Sequence, residues 1–176
     1  MSPYRKGTDQ LLLAFDDVSD RAFLVIHSQV TLQDEFPDLS DLIERLINQG
    51  ALTIIEKTVS APGLYNMGDV YVYPSRLDGI GLTIIEAMAS GLPVIVPDNG
   101  PMNEFIDENN NGMTVPVSKL WSRWDGYYWP QCEVFIDGLR NALLDYIESF
   151  SKISQDKAKA REYAVEHFDW HKNSEL

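Results

Sequence analysis

In "YPSRLDGIGLTIIEAMASGLPVIVP", residues 73–97, Asp78 and Glu86 stand eight positions apart around Gly79, Gly81 and Gly91, between two apolar runs. Two glycines so close together let a backbone turn sharply and approach a ligand. A helix beginning near Leu82 would aim its free N–H groups and positive dipole end into the same space. That combination is a cradle for a phosphate or pyrophosphate. Glu86, about one turn into the helix, can accept two hydrogen bonds from a diol such as a ribose, and Asp78 on the loop can do the same for a second sugar. The plainer alternative is that the glycines only shape a strand-to-helix turn and that Glu86 is a solvated helix residue. Against it, Ile84, Ile85, Ala87, Met88 and Ala89 make the helix apolar almost all round, which predicts a buried helix. A carboxylate there needs a partner or a ligand.

The elements that must hold these residues follow from periodicity. Apolar runs at 22–28, 52–56, 70–74, 93–97 and 113–117 read as short buried strands. Helical patterns at 8–18, 38–50 and 82–91 alternate with them, with Gly50 and Gly91 suited to the positions just past a helix end. This alternation predicts an α/β fold, a Rossmann-like doubly wound parallel sheet. "VYVYP" ends at Pro74, so 75–81 is a loop at the carboxyl edge, where such sheets bind ligands. Residues 118–133 carry three tryptophans and two tyrosines without a clean period and read as an aromatic loop insertion. They could be an acceptor platform, a membrane-interface contact, a protein interface, or a loop packed on its own sheet edge. Two helices are expected in the C-terminal part, 134–150 and 154–168. The chain opens on the polar turn "SPYRKGTD" and passes directly into a helix, so the first strand of the alternation is expected to be missing.

At 176 residues the chain is read as one domain, and 44% apolar and 11% aromatic residues mark it as globular. A net charge of −13 argues against a nucleic-acid groove, though not against a small anionic ligand. Cys132 is the single cysteine and fits a reducing compartment. No apolar run approaches the roughly 18 residues of a membrane span, and no signal-peptide core opens the chain. The expected location is cytoplasmic, with at most peripheral membrane contact. None of His27, His167 and His171 has a motif context for acid–base work. A dinucleotide-dependent dehydrogenase would need G-x-G-x-x-G after the first strand, which does not occur.

The glycine stretch resembles the donor-site signature of retaining GT-B glycosyltransferases of family 4, roughly Pro-Ser-x-x-Glu-Gly-Phe-Gly-Leu followed by Leu-Glu-Ala-Met-Ala-x-Gly-x-Pro-Val. The chain supplies Pro74-Ser75, Gly79, Gly81-Leu82, Glu86-Ala87-Met88-Ala89, Gly91 and Pro93-Val94. Flanking matches are "RKGTDQLLLAF" (5–15), Glu104, "NNGMTVPV" (110–117) and "FDW" (168–170). The resemblance runs along nearly the whole chain and implies the C-terminal, donor-binding half of such an enzyme. By it, Glu86 binds the ribose hydroxyls of a UDP-, GDP- or ADP-sugar. The backbone of Gly81, Leu82 and Thr83 faces the diphosphate, with Ile80 beside it, and Lys6 counters its charge. Asp78 and Gly79 hold the transferred sugar, and the base lies near Lys57 and Thr58. No further cofactor and no metal are implied.

Departures from the pattern accompany the match. Asp78 replaces the usual Glu, and Ile80 stands at the usual aromatic position. The family's Arg, expected several residues before the Lys, has no counterpart; Arg76 could compensate, although a surface role is expected for it. The partner implied is an N-terminal acceptor domain of the same enzyme, outside this sequence. The expected activity is a hexosyl transfer to a glycan, lipid or protein acceptor, absent from this domain alone. The alternative is a non-catalytic nucleotide- or glycan-binding module that kept the fold.

Overall fold

The computed structural model describes residues 2–107, 110–123 and 128–174. In chain order these form α1 (Thr8–Asp16), β1 (Leu24–His27), α2 (Leu32–Glu35), α3 (Ser40–Asn48), β2 (Leu52–Ile55), β3 (Tyr71–Val72), α4 (Leu82–Ala89), β4 (Val94–Pro97), β5 (Gly112–Val115), β6 (Val117–Ser122), β7 (Pro130–Val134), α5 (Ile136–Glu148), α6 (Ile153–His167) and α7 (Trp170–Asn173). Strands and helices alternate as the periodicity predicts, and β1–β2 and β3–β4–β5 are parallel sets.

β4 shows why its sequence is an uninterrupted apolar run. All four of its residues are buried. Val94 and Val96 pack with Ala87 and Met88 of α4 and Ala164 of α6, whereas Ile95 packs on the opposite face with Ala14 of α1 and Leu139 of α5. Alternate side chains thus enter two separate cores, so neither face admits a polar residue. Each such aliphatic side chain contributes roughly 2 kcal/mol through burial. A third core joins α1, α3, β1 and β2 around Phe15, Ile43 and Leu46.

The parallel strands form two separate sets: β1 pairs with β2 and β3 with β4, and no ladder joins β1 to β3 among the described residues. β3 spans two residues of the five expected at 70–74. The described residues of the stretch expected as an aromatic loop form an antiparallel hairpin, β6 and β7, paired from Val117↔Val134 to Ser122↔Pro130 with a register shift between Val117 and Lys119. Cys132 donates its N–H to Arg76 O (3.0 Å), and Val134 donates to Gln10 Oε1 (2.8 Å), which docks β7 at the carboxyl edge of β3. Cys132 is buried there, and burial pushes its thiol up to about 11. Tyr128 and Trp129 stay largely exposed; Trp124 and Tyr127, which the aromatic reading included, lie outside the described residues.

Candidate functional site

Tyr73 to Leu77, directly after β3, are all buried, and this segment anchors the N-terminal turn 2–7. Arg76 donates its N–H to Arg5 O (2.8 Å), and Ser75 Oγ donates to Arg5 O (3.2 Å) and Leu77 O (3.1 Å). Gly7 sits so close to the strand end that a Cβ there would lie 1.9 Å from Pro74 O, and its φ of +71° is a conformation suited to glycine. This contact brings Lys6 over the strand end.

Arg76 corrects the expectation of a surface residue: it is 2% exposed. Its guanidinium pairs in bidentate fashion with Asp9 (2.7 Å to both oxygens), donates to Tyr4 O (2.6 Å) and reaches Glu133 of β7 (3.2 Å). Burial disfavours the charge, but the Asp9 hydrogen bonds and charge outweigh it and hold its pKa above the ordinary value. Arg76 therefore clamps the N-terminal turn, α1 and the hairpin together.

Lys6 Nζ donates to Asp78 Oδ2 (2.5 Å) and to Tyr73 Oη, while Tyr73 O–H donates to the same carboxylate oxygen. Asp78 Oδ1 accepts from the N–H groups of Gly79 (2.8 Å) and Gly81 (3.3 Å). Burial raises the Asp78 pKa, yet the bonds from Lys6 and Tyr73, the Lys6 charge and the Gly79 amide prevail and bring it down to about 2. Gly81 is the N-cap of α4 with φ 80° and ψ 34°, a left-handed conformation. Its lack of a side chain leaves α4 without a capping oxygen from that residue, so the Leu82 and Thr83 N–H groups at the helix start have no partner within the helix. The Thr83 hydroxyl turns inward beside Tyr71 and Tyr73. Ile80 and Leu82, each 59% exposed, flank the opening, and a Cβ on Gly79 would meet no protein atom within 4 Å.

Glu86 differs from the expectation drawn from its apolar neighbours. α4 buries Ile84, Ala87 and Met88 but turns Leu82 and Glu86 outward, so the helix has one exposed face and Glu86 lies on it. Tyr65 O–H donates to Glu86 Oε2 (2.8 Å). Tyr65 meets Tyr71 edge-on at 5.7 Å, and Tyr71 stacks on Tyr73 at the same separation, so a row of three tyrosines links the two acids. Burial, with the Glu86 bond second, raises the Tyr65 pKa and keeps the phenol a donor. Lys57 and Thr58 are exposed at the carboxyl end of β2, where Lys57 O lies 3.1 Å from His27 Nε2.

The structure thus gathers Lys6, Asp78, Gly79 and Gly81 into one bonded cluster, with Leu82, Thr83 and Glu86 on the adjoining helix. Lys57 and Thr58 are on a different strand end of the same edge. Gly81, expected to face a diphosphate, gives its N–H to Asp78 Oδ1. A shallow hollow of about 160 Å³ beside Asp78 and Gly79 is walled by Pro101, Trp129 and Pro130. Sequence reasoning missed Tyr65, Tyr73 and the Asp9–Arg76–Glu133 clamp. Tyr73 was detectable, because two-residue periodicity puts Tyr71 and Tyr73 on one face; Tyr65 lies in an irregular segment with no such signal. Among the described residues no three His, Cys, Asp or Glu side chains gather as a metal site, and no helix is long and apolar enough to cross a membrane.

Residues 2–123 match the family described as glycosyl transferases group 1. The lipopolysaccharide core biosynthesis mannosyltransferase LpsB of Rhizobium meliloti is 36% identical over 86 residues, 46% of this chain and 24% of that protein. Among solved structures, Anabaena HepE in complex with UDP and glucose superposes with a TM-score of 0.74 at 20% identity, over 96% of this chain and 42% of that one. The C-terminal domain of the group 1 glycosyl transferase LpcC from Francisella tularensis gives 0.74 at 18% identity, over 95% and 82%. The chain spans about a quarter of the length of LpsB and less than half of HepE. With the parallel α/β architecture and the matched segment covering the glycine turn, the chain belongs to the glycosyl transferases group 1 and has the fold of a GT-B C-terminal domain.

Proposed function

We propose that the turn 75–83 and α4 bind a nucleoside-diphosphate sugar, and that the chain is the donor-binding part of a retaining, metal-independent glycosyltransferase acting on a glycan, lipid or protein acceptor. The observation that carries this reading is the convergence at one sheet edge of Lys6, the uncapped start of α4 at Leu82 and Thr83, and the outward-facing Glu86 one turn later. Lys6 has three N–H donors and uses two, on Tyr73 and Asp78, so one remains for a diphosphate oxygen. The helix N–H groups supply the other side of that anion's cradle. Glu86, once it shares or releases the Tyr65 bond, accepts from the two ribose hydroxyls. Asp78 and Gly79 would meet the transferred sugar beside the hollow, and Lys57 and Thr58 the base.

Catalysis follows from placement. As the glycosidic bond to the diphosphate breaks, negative charge grows on the leaving oxygen, where Lys6 and the α4 N-terminus stabilise it. Protein cations and N–H groups neutralise the diphosphate, so no metal is required. The acceptor hydroxyl arrives from a second domain, so this chain alone binds donor without sustained transfer. The complexes of HepE with UDP, with UDP-glucose, and with UDP and glucose support the ligand class. A cytoplasmic setting, where nucleotide sugars are made, belongs to the same proposal. A thermal-shift series with UDP, GDP, ADP and their hexose conjugates tests it, since a ligand of the native state raises the unfolding temperature. One base series is expected to stabilise the chain and the other two much less. No stabilisation by any of them at millimolar concentration would contradict the proposal.

A further inference from the structure

Every acceptor position of the Asp78 carboxylate is occupied. A carboxylate offers about four. Lys6 Nζ and Tyr73 O–H donate to Oδ2, and the Gly79 and Gly81 N–H groups donate to Oδ1. Freeing one of these positions for a sugar hydroxyl would strip an ammonium, a phenol or a turn amide of its partner. A sugar carried to this edge on a diphosphate must therefore be held by something other than that carboxylate. The hollow beside Asp78 and Gly79 supplies it. Leu77, Pro101, Trp129 and Pro130 wall it, three of them rigid rings. Its volume is about 160 Å³. That is below the roughly 300–1,000 Å³ of sites for drug-sized ligands, so it takes a single ring and not a nucleotide.

We infer that this hollow is the subsite for the transferred hexose and that Trp129 of the hairpin is the wall on which the sugar ring stacks. The inference rests on the nucleotide-sugar reading and adds a residue to it. The axial C–H groups of a pyranose make a face of its ring apolar, and such a face packs on the electron-rich face of an indole. Trp129 is 48% exposed, yet its backbone is held on both sides. Its C=O accepts from Arg123 N–H across the hairpin (3.0 Å), and the following Pro130 restricts it to an extended conformation. Cys132 and Glu133, next along β7, bond the backbone and the guanidinium of Arg76. Arg76 stands two positions before Asp78, so one anchor sets both sides of the hollow. Trp129 lies beyond residues 2–123, the segment that matches the family, so that match assigns it no role.

Titration calorimetry tests this with two probes, the nucleoside diphosphate that stabilises the chain best and its hexose conjugate. Trp129→Ala is expected to weaken the conjugate at least ~10-fold and the bare diphosphate less than about twofold. Trp129→Phe, which keeps a smaller aromatic face, should fall between the parent and Trp129→Ala for the conjugate. Glu86→Gln should weaken both probes alike, which separates the ribose from the hexose. If Trp129→Ala does not fold, the parent chain decides. The conjugate must then shift the Trp129 indole N–H resonance, assigned by its loss in Trp129→Phe, and the bare diphosphate must not. The inference is overturned, and the nucleotide reading kept, if Trp129→Ala leaves the conjugate unchanged or weakens both probes equally. It is also overturned if the indole resonance responds to a free oligosaccharide but not to the conjugate, since the hollow would then hold an acceptor. A parent chain that binds neither probe removes the nucleotide reading and this inference with it.

Discussion

Asp78 and Glu86 are the two acids of one turn-and-helix segment, and their surroundings are opposite. A carboxylate offers about four acceptor positions. Asp78 takes hydrogen bonds from Lys6, Tyr73, Gly79 and Gly81, and its side chain is only 18% exposed. Glu86 faces outward and takes one, from Tyr65. The contrast divides their labour. Asp78 is part of the framework that shapes the turn and holds Lys6 above it. Glu86 keeps acceptor capacity for a ligand. An anion site built of N–H groups and a lysine attracts negative charge, and in the free protein Asp78 supplies it.

The largest effect that would sharpen this comparison comes from removing the framework acid. Asp78→Ala leaves the Lys6 ammonium and two amides without their acceptor, and stability should fall by about 2 kcal/mol, the cost of a broken pair moderated by its partial exposure. Urea unfolding reads this directly. The same acid sets a pH dependence. Its folded pKa of about 2 lies below the ordinary 3.8, so ionised Asp78 stabilises the native state above pH 4 and its contribution disappears as pH falls toward 2. Asp78→Ala should remove that component of acid unfolding.

The glycines give a second, smaller contrast. A Cβ on Gly81 would force a left-handed backbone on alanine and crowd Ile84 (3.1 Å) and Phe105 (3.4 Å), so Gly81→Ala should cost about 1–2 kcal/mol. Gly79→Ala meets only open space and should change stability by less than about 0.5 kcal/mol. Its methyl group would project toward the proposed ligand, so nucleotide-sugar affinity should drop while unfolding stays put. Equal stability losses in the two variants would break the distinction between turn geometry and ligand approach.

Much of this was legible from residue order. Strand and helix positions followed from periodicity, because β4 buries alternate side chains in two cores and must be apolar throughout. The glycine turn was legible because few residues can start a helix from a left-handed N-cap. What escaped depends on long-range contact. Arg76 meets Asp9 and Glu133, 67 and 57 positions away, and no local pattern predicts that a loop arginine will be buried. The orientation of Glu86 escaped because composition made α4 look apolar all round, while nothing in the sequence showed that its Leu82 face stays uncovered. The hairpin escaped because β6, Val-Ser-Lys-Leu-Trp-Ser, is mostly exposed and carries no two-residue alternation of apolar and polar residues that would mark a strand.

The central claim is that Glu86 receives the nucleotide while contributing little to the fold, and titration calorimetry of the chain and of Glu86→Gln with the nucleoside diphosphate that stabilises it best tests this most directly. Losing a charged acceptor for a ribose diol should weaken binding at least ~10-fold, about 1.4 kcal/mol, with urea stability within about 0.5 kcal/mol of the parent. Unchanged affinity in the substituted protein would remove Glu86 from the binding site and with it the reading of this edge as a nucleotide-sugar pocket.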